Sequence, residues 1–178
     1  MRIAIICFVT CLWVSCAPSV RISSDFDRDA DFAKYKTYAF TKETYLLNID
    51  PFNRERIMRA VDSGMVSKGF TKSDDPQVLV DLTVKAVQKT EAYATSSGMY
   101  GGPWGYGYGM GFTTTQINYD QYVEGTLFIN MVDKSTQKIF WQGRGTKIID
   151  PELSSERREM NIINAVKRIF TLYPPAKK

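Results

Sequence analysis

Histidine is absent from all 178 residues of the chain. It is the commonest general base in enzymes and the commonest ligand of transition metals in proteins. Its absence excludes every catalytic arrangement in which histidine activates a serine or cysteine nucleophile. A phosphate-binding loop of the P-loop type is also missing. We therefore predict no catalytic residues and no cofactor, and we expect the protein not to be an enzyme.

Cysteine is scarce and confined to the N-terminus, at positions 7, 11 and 16. Residues 17–178 therefore contain neither a thiol nor a disulfide, so a domain there must be stable through its core alone. Because cysteine and histidine are the usual ligands of zinc, zinc sites of the usual kind are excluded. We predict no metal site.

Apolar runs long enough to cross a bilayer, which takes about 20 residues, are also missing. A shorter apolar run from Ile3 to Val14 follows the positive charge of Arg2 and is succeeded by the small residue Ser15. This combination is typical of a secretory signal peptide. We expect residues 1–15 to be removed when the protein is exported.

The segment Leu12–Cys16 resembles a lipobox, whose cysteine takes a diacylglycerol on sulfur and, after cleavage, an acyl chain on its amine. Ser15 fits the pattern, whereas Trp13 stands where leucine is preferred. We predict Cys16 as the lipid attachment site that binds the protein to a membrane; the alternative is a soluble periplasmic protein with an incidental cysteine. Because Ala17 follows, and not an aspartate that would resemble an inner-membrane retention signal, we expect the outer membrane, facing the periplasm.

The formal net charge of +4 is a mild excess that a solvated surface explains. Because an exported protein rarely meets nucleic acid, we expect no nucleic-acid partner. Weak attraction to anionic lipid headgroups is compatible with this charge.

Residues 16–24 are predicted to form a short polar tether, and residues 25–178 suit one domain. Strands are predicted at 35–41, 77–89, 122–133 and 138–149, and helices over 51–68 and from Ser154 or Ser155 to Pro174.

The order strand-helix-strand-strand-strand-helix indicates an α+β fold. Local connections between the later strands favour an antiparallel sheet of about four strands, with two helices packed on one face. Trp141 is in phase with Ile139, so we expect both side chains on one face of their strand.

The segment 98–112 is rich in glycine that alternates with aromatic residues. Its glycine spacing does not match a dinucleotide-binding loop, and its glycine density disfavours a strand. It is either a plain connector between two strands or a contact surface for an envelope protein partner or a membrane, since exposed aromatic side chains suit both. The candidate contact residues are Tyr100, Trp104, Tyr106, Tyr108 and Phe112.

Four aspartates alternate at positions 25, 27, 29 and 31. Alternating acids in a turn-rich segment are more often solvated surface than a site. The segment also lacks the glycine and the terminal glutamate of a calcium-binding loop. Chemistry based on carboxylates alone remains an alternative to a non-enzymatic role.

Several motifs, in this order along the chain, resemble those of the domain of unknown function 4136 family, whose members look like exported or lipid-anchored bacterial envelope proteins. The resemblance implies one α+β domain and no known reaction or binding residues. Its motifs are Asp25-Phe26-Asp27, the stretch 30–40, Lys68-Gly69-Phe70, Asp75-Pro76, the Gly-Tyr-Trp-rich middle, the stretch 124–127, the hairpin end 138–143 and Tyr173-Pro174-Pro175.

Two functions follow as hypotheses. The first is a lipid-anchored cell-envelope protein with a non-enzymatic binding or structural role. The alternative is a binding protein or hydrolase for a small envelope ligand that uses a carboxylate site.

Overall fold

The computed structural model describes residues 20–97 and 114–175. The strands are β1 Arg21–Phe26, β2 Thr37–Phe40, β3 Thr71–Lys72, β4 Val78–Ser97, β5 Thr114–Asp133 and β6 Ile139–Ile149. The helices are α1 Lys42–Tyr45, α2 Pro51–Ser67 and α3 Ser155–Phe170, with a 3-10 helix at Phe32–Lys34. The strands form one sheet in the order β1-β6-β5-β4-β2-β3.

The prediction of an antiparallel sheet of about four strands is wrong. The sheet has six strands and is mixed, although the fold is still α+β. β2 runs parallel to both β4 and β3. The parallel pairing arises because α2 connects β2 to β4 as a crossover, which returns the chain in its original direction. The four neighbours β1, β6, β5 and β4 pair antiparallel.

The two long helices begin where the sequence predicts them. Asp50 caps α2 by accepting a hydrogen bond from the backbone N–H of Asn53 at 3.0 Å, and Ser154 caps α3. Such caps satisfy N–H groups that have no partner within the helix. The helices pack on each other, and their buried residues join the inward face of the sheet in one core.

Trp141 is the largest fully buried side chain of the described residues and lies at the centre of this core. Its ring contacts those of Phe170 and Tyr173, with centroids 6.0 and 5.3 Å apart. Its neighbour Gly143 leaves room for α3, since a Cβ there would meet Ile169. At this point of the core, α3 therefore packs closely against β6.

β4 and β5 extend far beyond this core. β6 ends at Ile149, which pairs with Val123 of β5, and Val123 also pairs with Gln88 of β4. Past this point β4 and β5 pair only with each other, from Lys89 opposite Tyr122 to the end of both strands. We call residues 89–97 and 114–122 the arm; at about 3.3 Å per residue it is about 30 Å long.

Candidate functional site

The structure describes only some of the residues that the sequence analysis singled out. Cys16 and the five aromatic candidates Tyr100, Trp104, Tyr106, Tyr108 and Phe112 lie outside the described residues. Ser97 pairs with Thr114, so the segment 98–113 connects the two strands of one hairpin. The aromatic segment is thus joined to the end of the arm, which makes the arm the first candidate site.

The two faces of the arm differ in charge. The face that continues the helix-covered side of the sheet carries no charged side chain, and we call it the neutral face. Its residues are Thr90, Ala92, Ala94, Ile117, Tyr119 and Gln121. On it Ala92 pairs with Tyr119 and Ala94 with Ile117, which brings the apolar side chains together.

Both large side chains of this patch are exposed, Ile117 to 60% and Tyr119 to 67%. In the domain itself, residues on this side of the sheet join the core with the helices, whereas the residues named above for the neutral face are all exposed. A polar stretch with two isolated apolar residues looks like ordinary surface in the sequence, so the sequence analysis missed this patch. Alternation along β5 puts the two residues on one face, but only the strand pairing shows that Ala92 and Ala94 lie beside them on the helix-covered side.

The opposite face of the arm is charged, and we call it the charged face. Glu91 lies directly opposite Asp120, so two negative charges face each other. Tyr122 donates a hydrogen bond to Glu91 at 2.6 Å, and this bond raises the pKa of the tyrosine. Lys89 forms an ion pair with Glu124 at 2.7 Å. This face is well suited to water.

Glu124 lies at the base of the arm and links it to the N-terminal strand. Its side chain is only 10% exposed and accepts a hydrogen bond from Arg21 of β1, in addition to its ion pair with Lys89. Burying a carboxylate is costly unless it is paired, and here two cations pair with it. The contact holds the beginning of β1 beside the base of the arm.

The second candidate site is a groove of about 1050 Å³ between the segment 25–36 and the end of the chain. Its floor is aromatic: the ring of Phe32 makes an edge contact with Tyr173, with centroids 5.7 Å apart, and Phe70 lies equally close to Tyr173. Arg28 and Lys68 contribute positive charge to its walls. The groove can accommodate a small molecule with an apolar body.

Three of the alternating aspartates line this groove, Asp25, Asp29 and Asp31. The carboxylates of Asp25, Asp27 and Asp31 accept hydrogen bonds from nearby backbone N–H groups. Asp27 accepts a hydrogen bond from the backbone N–H of Asp29 at 3.0 Å, and Asp31 accepts one from Ala33 at 3.0 Å. Asp25 likewise accepts from the next residue at 2.9 Å. Such bonds are typical of turns and helix caps. Within residues 20–97 and 114–175, no cluster of carboxylates is arranged to hold a metal ion.

A third feature is the buried carboxylate of Asp133, at the turn between β5 and β6. One oxygen accepts from the hydroxyl of Ser135 at 2.5 Å; the other accepts from Tyr35 at 2.7 Å and from Lys34 at 3.0 Å. The Ser135 bond, followed by the Tyr35 bond, lowers the pKa of Asp133. A carboxylate held ionised by so many donors stabilises the turn and is a poor proton donor at neutral pH.

Two buried polar groups of the described core have no hydrogen-bond partner, the indole N–H of Trp141 and the hydroxyl of Tyr173. Burial raises the pKa of Tyr173, which therefore stays protonated. Neither group is accessible to a ligand, because both side chains are almost completely buried. Of the described helices, none has the length and apolar character needed to cross a bilayer.

Comparison with solved structures finds a similar fold. A PDZ domain protein from Parabacteroides distasonis matches with a TM-score of 0.55 and 16% identity, over 90% of this chain and 37% of that one. The chain thus spans little more than a third of that protein, and the likeness concerns the fold alone. A PelC dodecamer from Paraburkholderia phytofirmans matches 91% of this chain and 100% of its own at 11% identity, with a TM-score of 0.42 that is too low to support an argument.

A search of curated proteins gives no match. A family model does match: the domain of unknown function DUF4136 covers residues 22–175. The match begins at the second residue of β1 and covers the arm, both long helices, the aromatic groove and Asp133, but neither Cys16 nor Arg21. The chain belongs to the DUF4136 family.

Proposed function

We propose that the protein is a lipid-anchored component of the bacterial cell envelope with a non-enzymatic binding or structural role. The observation that carries this proposal is the N-terminal pattern, in which a charged residue, an apolar run and Ser15 precede Cys16. The described residues begin at Val20, whose side chain is buried. Lipid on Cys16 would hold the domain close to the membrane surface.

The chemistry of the described carboxylates supports a non-enzymatic role. Asp31 and Asp133 each accept hydrogen bonds from the backbone of their own turns, and the bonds to Asp133 lower the pKa of that carboxyl group. General acid catalysis at neutral pH needs a carboxyl group whose pKa is raised. The shift at Asp133 has the opposite direction.

We place the protein at the outer membrane, facing the periplasm. The support is Ala17, which stands where an aspartate would resemble an inner-membrane retention signal. Density-gradient separation of the two membranes tests this placement. Recovery with outer-membrane markers is expected, and recovery with inner-membrane markers would contradict it.

Replacing the proposed lipid attachment site tests the anchoring. Cys16→Ala should move the protein from the membrane fraction to the soluble fraction, because stable attachment requires the acyl chains. Cys11→Ala is the matched control and should leave the protein in the membrane fraction. If the Cys16→Ala protein still sediments with membranes after a high-salt wash, lipid on Cys16 is not the anchor.

A second candidate function is binding of a small ligand in the groove, favoured by its volume and its aromatic floor. The dye 1-anilinonaphthalene-8-sulfonate is a suitable probe because it combines an apolar body with a negative charge. Lys68→Gln should weaken dye binding if the groove is the site, whereas Lys147→Gln, on β6 and outside the groove, should not. Equal dye binding by wild type and both variants would argue against this function.

A further inference from the structure

The arm and Val20, the first described residue, lie at the same end of the sheet. β1 runs antiparallel to β6, with Arg21 opposite Thr146, and Thr146 pairs in turn with Thr126 of β5. The base of the arm is only a few residues further along β5. The ion pair between Arg21 and Glu124 joins the two elements directly. A chain that leaves the domain at Val20 therefore leaves it beside the arm.

The lengths of the two segments differ greatly. Val20 is buried against the backbone of Gly145, which fixes its position. Three residues lie between it and Cys16, and the four steps from Cys16 to Val20 span at most about 14 Å. The arm is about 30 Å long. A lipid on Cys16 thus holds Val20 within about 14 Å of the bilayer surface. Because the arm begins nearby and is about 30 Å long, an arm directed towards the membrane would contact it.

The chemical character of the two faces determines which of them contacts the membrane. Lys89, Glu91 and Asp120 occupy the charged face, and moving them out of water would be costly. The neutral face offers Ile117 and the ring of Tyr119, both exposed. Tyrosine is favoured at the level of lipid headgroups because its ring is apolar and its hydroxyl is polar.

A second copy of the chain fits this face less well. A two-stranded ribbon about 30 Å long and about 10 Å wide offers roughly 300 Å² to a partner. Stable protein interfaces bury about 800 Å² on each side. An isolated two-stranded ribbon is also only marginally stable in water. A bilayer that is already held nearby needs no such area, because the anchor supplies the attachment.

We propose that the neutral face of the arm lies on the headgroup region of the bilayer that carries the anchor, and so sets the orientation of the domain. The inference rests on the lipid anchor of the proposed function. It assigns Ile117 and Tyr119 as membrane-contact residues and leaves the charged face in water. The arm then holds the groove at a defined distance from the membrane.

Adjacent residues on opposite faces provide the test. Beyond Cys16 the chain has no cysteine, so Tyr119→Cys and Asn118→Cys each introduce one thiol into the mature lipidated protein. Each is labelled with the fluorophore nitrobenzoxadiazole and reconstituted in vesicles of phosphatidylethanolamine and phosphatidylglycerol. Quenching by nitroxide-bearing lipid reports contact with the bilayer, and quenching by iodide reports contact with water.

The label at position 119 should be quenched several-fold more strongly by nitroxide lipid than the label at 118, and several-fold less by iodide. Ile117→Cys should behave like Tyr119→Cys. Thr136→Cys, in the exposed turn at the other end of β5, is the control for a site far from the membrane and should respond to iodide alone.

Three other results would overturn the inference. Equal responses at 118 and 119 would show that the arm stands in water. Protection of 119 from iodide without quenching by nitroxide lipid would show that a protein, such as a second copy, covers the face. A purified protein whose mass shows no lipid on Cys16 would overturn the proposed anchor and this inference together, whereas the first two results overturn the inference alone.

Discussion

A Cβ built on Gly143 would stand 2.4 Å from Cγ2 of Ile169 and 2.4 Å from the ring of Trp141. Both neighbours are fully buried and have no space into which they could move. α3 therefore sits directly on the backbone of β6 at this glycine, and the tight approach fixes the distance between the helix and the sheet.

Gly143→Ala is expected to destabilise the protein by about 2 kcal/mol, since overpacking a core typically costs 1–3 kcal/mol. The control is Gly125→Ala, whose new methyl group would meet only the end of the half-exposed Ile149 side chain, which can rotate away. Urea unfolding measures both. Equal stability of the two variants would show that α3 does not press on β6.

The hydroxyl of Thr44 in α1 makes hydrogen bonds to backbone groups of β4 that a neighbouring strand would otherwise make. It accepts a hydrogen bond from the N–H of Leu82 at 3.1 Å and donates one to the carbonyl of Val80 at 3.4 Å, where β2 has ended. Thr44→Val should cost about 1–3 kcal/mol, because the buried N–H of Leu82 loses its acceptor. Thr44→Ser keeps the hydroxyl and should cost clearly less. Thermal unfolding of wild type and both variants measures the difference.

Asp133 should make the fold sensitive to acid. Its pKa in the folded state is lowered, chiefly by the hydrogen bond from Ser135, from an unfolded value of about 3.9. Its contribution to stability is therefore complete above about pH 4 and is lost as the pH falls towards the lower folded value. Asp133→Asn should reduce stability at pH 7 by about 1–3 kcal/mol.

The same variant should also lose less stability than wild type between about pH 4 and pH 2. Unfolding curves collected at several pH values measure this difference. The ion pair with Lys34 adds little, because that lysine is exposed to solvent. Parallel pH profiles of wild type and variant would show that Asp133 is not responsible for the acid sensitivity.

Removal of the arm should leave the domain folded. Gln88 and Val123 pair with each other, so an Asn-Gly turn can join them in place of residues 89–122. Because most described residues of the arm are exposed, and because Arg21 still pairs with Glu124 when Lys89 is removed, the free energy of unfolding should change by no more than about 1 kcal/mol. Urea unfolding of the shortened protein tests this, with Cys16→Ala in both proteins to keep them soluble. A loss of several kcal/mol would show that the arm supports the core.

Sequence patterns predict those parts of the fold whose residues pack on the core. α2 was predicted from Asp50 and Pro51, which mark its beginning, and β5 was predicted over 122–133 from alternation. In the arm, apolar and polar residues alternate only over 117–120, and the described residues are mostly exposed, so no buried face indicates its pairing in the sequence. β1 was missed for a similar reason: its residue Ser24 lies opposite Gly143, and neither has an apolar side chain.

The face of Ile139 shows another limit of pattern reading. We expected it to lie on the same face as Trp141, but Ile139 is 51% exposed and Trp141 is fully buried. The cause is a register shift in the pairing with β5, where Met131 pairs with Trp141 and Val132 pairs with Ile139, so Phe140 is an extra residue. Such a bulge breaks the alternation of faces, and no local sequence pattern indicates it.

The candidate sites, too, could be predicted from the sequence only in part. The sequence located the carboxylates at 25–31, but only the structure showed that Asp27 and Asp31 bind the backbone of their own turns. The exposed patch of Ile117 and Tyr119 became visible only through the pairing of β4 with β5. Contact surfaces that are built from two strands depend on register, which single-strand patterns do not contain.

The intact mass of the mature protein, purified from membranes, tests the lipid anchor most directly. The account predicts a chain that begins at Cys16, with the added mass of a diacylglycerol on sulfur and an acyl chain on the new amine. Digestion should locate the whole addition on the N-terminal peptide. A mature chain with an unmodified Cys16, or one that still carries residues 1–15, would contradict the account.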